Sequence, residues 1–393
     1  MLTLQAYKHT LSPTRATCHN SVTYPMGKLN RLHQLTGWIV FAVAAIVYLL
    51  SAERTGSLWD CGEFVLGAYK MQVVHPPGAP LFLLIGRIFA WMVDLFSADP
   101  AMIAYAVNLS SGICTAFSAA FVAWMTVRLS KMGFVGRDEE AELTAGQNVA
   151  VAGSGLVSGL ATAFSSYIWI RAVEGEVYAM SLFFTCITDW AMVRWYAKPD
   201  TPQADRWLLF ALFSAGLSIG VHLLSILTIP AMAILYYYKK KKEGHTFLGL
   251  ALSVLGGVAI IVFIQAFIIV GIPTIWLLFE IPMVNNLGLP VHSGIVPAVL
   301  ILLGFIGANL WLVHRQHTTG VKQEELSTGI RIVSGVLLLI FAWFSGASLL
   351  MTLVSIVLVV GLLIVLHRVE NSNALQQVMV GFGLLVIAFS TVG

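Results

Sequence analysis

Asp60 and Glu63 stand three residues apart in a chain that is only 10% charged. They belong to WDCGEFVLGAYKMQVVHPPGAP, Trp59 to Pro80, the densest polar cluster in the sequence. If Trp59 to Met71 is helical, Asp60, Glu63 and Gly67 share a face, because residues three and four apart are neighbours on a helix. Val65, Leu66, Tyr69 and Val73 lie largely on other faces, so the helix can rest on a membrane surface with its carboxylates free. The prolines of His75-Pro76-Pro77-Gly78 are expected to end it, since proline lacks the donor and restricts the residue before it. A second acidic group, Arg171, Glu174, Glu176 and Tyr178, follows a later apolar segment. Carboxylates in a shared cleft can deprotonate a hydroxyl, and Arg171, Arg87 or His75 can hold a phosphate by charge-assisted bonds.

These groups must be positioned by apolar elements. The hydrophobic fraction is 58% and the mean hydropathy +0.85, against roughly 45–50% apolar in soluble domains. Runs of about 20 apolar residues recur from Leu35 onward, each long enough for a hydrocarbon core of roughly 30 Å. The chain is expected to be all-α, a polytopic helical membrane protein with about 11 to 13 apolar segments. A β-barrel would instead show alternating segments of about 10 residues. The net charge of +3 says little about a partner; where the basic residues sit says more, and no nucleic-acid partner is expected. Cys18, Cys61, Cys114 and Cys186 are scattered, without the pairing of a disulfide framework or zinc site.

Residues 1–34 carry Lys8, Arg15, Lys28 and Arg31 and no acid, which marks a cytoplasmic tail by the positive-inside rule. Met26-Gly27-Lys28, directly ahead of the first span, is a natural start. Leu35 to Ala52 then delivers Trp59–Pro80 to the outer side. Leu81 to Phe96, Ala101 to Val127 and Val149 to Ile170 follow. Trp207 to Tyr238, with Gly216, Gly220 and His222 near its middle, suits two short helices better than one. Lys239 to Lys242 are the strongest cytoplasmic marker, and counting back from them places Glu174 and Glu176 outside. Phe247 to Val270 exits, Ile272 to Ser293 reads as an outer loop, and Gly294 to Val313 returns. Arg315, Lys322 and Arg368 sit inside, Ile330 to Leu366 holds two spans, and Leu375 to Gly393 leads outward. Between His75 and Glu174 three apolar segments join two outer loops, so one does not cross. Leu81–Phe96 and Val149–Ile170 are the two candidates. Asn108-Leu-Ser matches the glycosylation triplet but lies inside an apolar run, and is discarded.

Ionisable groups within spans cost about 2.5–3.5 kcal/mol on insertion scales, so Arg87, Asp94, Asp189 and His222 need a reason. An interhelical hydrogen bond or a snorkelling side chain is the structural one. No glycine-rich phosphate loop, HExxH or GxSxG is present, so nucleotide hydrolysis and the familiar hydrolases find no support.

WDCGEF, HPPGAPLF, AVEGEVYAMS and GLSIGVHLLSILTIPA, in that order, resemble the transmembrane protein 260 family of GT-C-fold glycosyltransferases. The resemblance runs from about Leu29 to Pro230. It implies a GT-C-like transmembrane catalytic domain over 35–393. It also implies transfer of a sugar, mannose, from a polyprenyl-phosphate donor to Ser/Thr hydroxyls of extracytoplasmic proteins. Asp60 matches the acid taken as catalytic base, with Glu63 beside it. His75, Glu174, Glu176, Tyr178 and His222 match the later motifs and, with Arg87 and Arg171, are the expected donor- and acceptor-binding residues. The lipid-linked sugar is a co-substrate, no cofactor or metal is expected, and membrane lipid surrounds the chain. The family's bacterial relatives point to an inner-membrane protein with its site on the extracytoplasmic face. Family members commonly continue into a soluble part, so the end at Gly393 reads as a truncation. Two alternatives share the pattern: a GT-C transferase acting on a lipid or glycan, and a non-enzymatic transporter or flippase, whose acids should lie mid-membrane on broken helices.

Overall fold

The computed structural model describes residues 28–304, apart from positions 77, 138–140, 200, 201, 242 and 302. The expected tail over 1–27, Pro77, Lys242, and the expected segments around Arg315, Lys322, Ile330–Leu366, Arg368 and Leu375–Gly393 lie outside the described residues. Within them the fold is all-α, with no strand.

The first seven helices are α1 Lys28–Ser51, α2 Cys61–Lys70, α3 Pro80–Asp94, α4 Pro100–Val135, α5 Ala145–Ala163, α6 Ser166–Val173 and α7 Val177–Ala197. Four more follow: α8 Pro202–Ile219, α9 Ile229–Lys240, α10 Phe247–Phe263 and α11 Gly271–Asn285. Two of these, Arg31–Ser51 within α1 and Pro100–Val135, are long and apolar enough to cross a membrane. The pair α5 and α6, bent by 61° at Phe164–Ser165, makes a third if taken as one span.

Helix α4 is the centre of the bundle, packed on α1, α3, α5, α6 and α7. Its apolar window is 72% buried against 28% for α1. Small residues allow this. Ala116, Ala119, Ala120 and Ala123 are buried along α4. Gly159 of α5 sits so close that an added Cβ would lie 3.0 Å from Ala119 O, a spacing typical of helix contacts in membranes. Hydroxyls are satisfied within the helices, Thr115 to Ser111 O at 2.9 Å and Thr126 to Val122 O at 2.9 Å, so they need no water.

Hydrogen bonds fix the register of α1 and α4. The Tyr105 hydroxyl donates to Leu49 O at 2.6 Å, and Trp124 Nε1 donates to Gln34 O at 3.0 Å. The helices are therefore antiparallel. Tyr105 and Trp124 are separated by about 28 Å of helix rise, close to the hydrocarbon thickness of roughly 30 Å. Helix α3 packs along the N-terminal part of α4, on both sides of Tyr105: Ala90 and Ile103 share one buried cluster, and Gly86 lies against Val107. At 15 residues, α3 is about 22 Å long.

The expected break in Trp207–Tyr238 is present as a 3₁₀ turn, Leu223–Thr228, between α8 and α9. Gly220 O there accepts from Leu81 N at 2.8 Å, so α8 ends at the same end of the bundle as α2. The outer loop expected over Ile272–Ser293 is corrected: helix α11 fills it to Asn285, continuing from α10 through a π-helical turn, Ile264–Ile269. Helix α11 accommodates its prolines near its ends, one in the first turn, where no donor is needed, and Pro282 in the last. Within the lysine run, one side chain turns inward. Lys239 is fully buried and donates to Trp195 O and Lys198 O, satisfying carbonyls at the C-terminus of α7.

Candidate active site: two acidic loops meeting at one end of the bundle

Asn108 joins the loop that carries Asp60 to the bundle. It is fully buried on α4, and Nδ2 donates to Glu53 O at 2.9 Å and to Thr55 O at 3.1 Å. Glu53 N in turn donates to Val173 O at 2.9 Å, which ties the loop to the end of α6. Asn108 was weighed from the sequence only as a glycosylation triplet, and Ser57 was not singled out. The signal available was an asparagine inside an apolar run, where a polar group needs a partner.

Trp59, at φ 59°, lies in the left-handed region and outside the helix, an uncommon conformation for a bulky residue. Helix α2 therefore starts at Cys61, after Asp60, not at Trp59. Asp60 occupies the N-cap position, yet its side chain makes no capping bond. Its carboxylate stays exposed and available.

Met71 ends α2 with φ 52° and ψ 49°, and its N–H bonds Gly67 O. The helix is over before the prolines, which corrects their expected role. This left-handed cap turns the chain back across α2, over Gly67, where an added Cβ would lie 2.7 Å from Val74 Cγ1. The turn returns His75 to Glu63. Glu63 Oε1 accepts the His75 backbone N–H at 2.6 Å, and Oε2 lies 3.0 Å from Nδ1. His75 Nε2 is 4.0 Å from Asp60 Oδ2. The hydrogen bonds from His75 hold the Glu63 carboxyl below its usual range, and the same bond raises the His75 imidazole above its own. Glu63 is thus engaged rather than free. Asp60, Glu63 and His75 place their donor atoms within 4.8 Å of one another. All three are exposed and Glu63 spends both oxygens on His75, an internally bonded pair rather than a prepared metal cage.

The second loop comes from the bend between α6 and α7. Gly175 passes directly against Asn108, since an added Cβ would lie 2.6 Å from its Oδ1; a larger residue would push the loop away. Its neighbours Glu174 and Glu176 are buried. Ser57 Oγ donates to Glu174 Oε2 at 2.5 Å, so the two loops touch. Arg171 Nη1 lies 2.7 Å from Glu176 Oε2 and 3.8 Å from Glu174 Oε1. Its guanidinium stacks over Tyr178 at 4.5 Å. Burial raises the Glu176 carboxyl despite Arg171, with the Asp60 backbone opposing that rise by a hydrogen bond.

Tyr178 also packs on His222, ring centroids 5.2 Å apart. The Leu224 N–H donates to His222 Nδ1 at 3.2 Å, so a neutral ring carries its proton on Nε2. The break at the end of α8 thus brings His222 beside the second loop rather than to mid-span. Asp60, Glu63, His75, Arg171, Glu174, Glu176, Tyr178 and His222 form one connected neighbourhood. Arg87 does something else: Nη1 donates to Tyr69 O at 2.5 Å, capping the last turn of α2. Asp189 is partly buried and accepts from Thr228, a bond that ties α7 to the 3₁₀ turn.

Residues 60–245 match the family described as the protein O-mannosyl-transferase TMEM260 N-terminal domain. Mouse protein O-mannosyl-transferase TMEM260 is 28% identical over 206 residues, 52% of this chain and 26% of that protein. The Dictyostelium discoideum protein of the same name is 25% identical over 169 residues, 43% of this chain and 18% of that protein. The matched stretch is thus about a quarter or less of either relative. No solved structure matches. The matched segment begins at Asp60 and takes in α2, the Glu174–Glu176 loop and the break at His222, and over it the chain is similar to the TMEM260 N-terminal domain family.

Proposed function

We propose that the chain is a multi-pass membrane glycosyltransferase of the GT-C type, transferring mannose from a polyprenyl-phosphate donor to Ser or Thr hydroxyls of extracytoplasmic proteins. The observation that carries this reading is the meeting of the two acidic loops at one end of the bundle, joined by Ser57 and Glu174, at the start of and within the segment, 60–245, that matches the family described as an O-mannosyl-transferase domain. The lysine-bearing end of α9 lies in the cytoplasm on this reading, and the acidic end faces outward.

The reaction is a single displacement at the anomeric carbon. The acceptor oxygen forms a bond to that carbon as the bond to the lipid phosphate breaks, and the electron pair leaves with the phosphate oxygen. Asp60, exposed and uncommitted, takes the hydroxyl proton. Arg171 and the Nε2–H of His222, on either side of Tyr178 in the contact chain, meet the charge that develops on the phosphate. Glu174 and Glu176 hold Arg171 in place. The reading includes no metal or other cofactor.

The test supplies membranes containing the chain with polyprenyl phosphate bearing labelled mannose and a folded protein acceptor. Label should appear on the acceptor and be released by alkaline β-elimination, as expected for a Ser or Thr linkage. Label carried only into lipid or glycan would favour the related transferase class, and loss of donor from one leaflet without transfer would favour a flippase.

A further inference from the structure

We propose that His75 is a proton relay, receiving from Asp60 the proton that Asp60 takes from the acceptor hydroxyl, and that Glu63 is the positioning residue that holds it. This rests on the reading of Asp60 as the base. Glu63 grips His75 twice, at the backbone N–H with 2.6 Å and at Nδ1 with 3.0 Å. Nδ1 is therefore the protonated nitrogen of the neutral ring, and the lone pair is on Nε2. Phe64 closes one side of the imidazole, ring centroids 5.6 Å apart, and Nε2 is left 4.0 Å from Asp60 Oδ2. That gap is too long for a direct hydrogen bond, yet two bonds of about 2.8 Å meeting at one bridging oxygen span it.

The bridging oxygen is a water or the acceptor itself. The hydroxyl proton passes to Asp60 as the acceptor–sugar bond forms and the sugar–phosphate bond breaks. It then crosses to His75 Nε2, giving an imidazolium paired with the Glu63 carboxylate. His75 is half exposed, so the proton leaves to solvent and Asp60 is restored for the next turnover. The charged groups acting on His75 are Glu63 and Asp60, both presented by α2. Glu176 stands behind the Asp60 backbone.

The relay works only while His75 is neutral, and its raised affinity for protons sets the pH window. Turnover should fall as pH drops through a value above the ordinary 6.5 of a histidine. A base that handed its proton straight to water would keep turnover at pH values where His75 is already protonated. Glu63→Gln should lower kcat and shift the acid limb downward. His75→Ala should lower kcat on the order of 10²-fold with little change in donor KM, and added imidazole should restore part of it, which a purely structural role would not allow. Carbethoxylation of His75 by diethyl pyrocarbonate, read by mass spectrometry in the same membranes, reports its neutral fraction without turnover. Its half-point should lie above pH 6.5 and drop in Glu63→Gln. A half-point at or below 6.5, a wild-type acid limb below about pH 5, or wild-type kcat in His75→Ala would overturn the relay. If Asp60→Asn is inactive in those same membranes, the relay alone falls. If Asp60→Asn is active, the base assignment falls with it.

Discussion

Helix α7 buries charge near both of its ends, and the two ends use it differently. At its C-terminus Lys239 is wholly buried, donates to the carbonyls of Trp195 and Lys198, and lies 4.2 Å over the Trp195 ring. Asp205 accepts the Trp195 Nε1–H at 3.0 Å. At the N-terminus Glu174 and Glu176 are buried and met by Ser57 and Arg171, but Asp60 and the Nε2 edge of His75 remain exposed beside them. Charges whose hydrogen bonds are spent on the fold hold helices together. Charges backed by such bonds but still open to solvent can meet a substrate, because their partners fix position without consuming the reactive atoms.

Lys239→Ala should have the largest effect on stability. It leaves the carbonyls at the end of α7 without their charged donor, at a cost of about 3 kcal/mol. A thermal melt in detergent should show the loss, while transfer per folded molecule stays near wild type. A large fall in transfer per folded molecule would break the contrast between the two ends.

Asn108→Ala should act on both fold and site. The carbonyls of Glu53 and Thr55 lose a buried donor, costing about 2 kcal/mol, and the loop bearing Asp60 loosens. Roughly a tenfold fall in kcat with unchanged donor KM is expected, since misplacing a reacting group by about 1 Å costs up to 10²-fold. Unchanged kcat in the folded fraction would show that Asn108 serves the bundle alone.

The smallest change is expected for Arg87→Ala, about 1 kcal/mol from the uncapped end of α2, with donor KM unchanged. A raised donor KM without loss of stability would instead put Arg87 on the lipid phosphate and enlarge the site.

The parts of this architecture legible in the sequence were those that depend on local residue type. The acid pair at Asp60 and Glu63, the EGEVY loop and the break between Gly216 and His222 all follow from spacing and glycine placement. Segments that fail to cross were not separable, because apolar composition carries no direction. The left-handed cap at Met71 was hidden, since a methionine gives no turn signal where a glycine would. The burial of Lys239 was hidden for a related reason. A run of lysines marks a membrane face, but which of them bends back onto helix carbonyls depends on a neighbour some 40 residues away, at Trp195.

The central claim is that Asp60 is the base of a site built by both loops, and Asp60→Asn tests it most directly. Asparagine keeps the size and most hydrogen bonding, and the wild-type side chain caps nothing, so folding and donor binding should persist. Single-turnover transfer at matched protein level should drop 10²–10⁴-fold, or about 2.7–5.4 kcal/mol of barrier. Transfer by Asp60→Asn within about twofold of wild type, with the chemical step shown to limit the rate, would contradict the account.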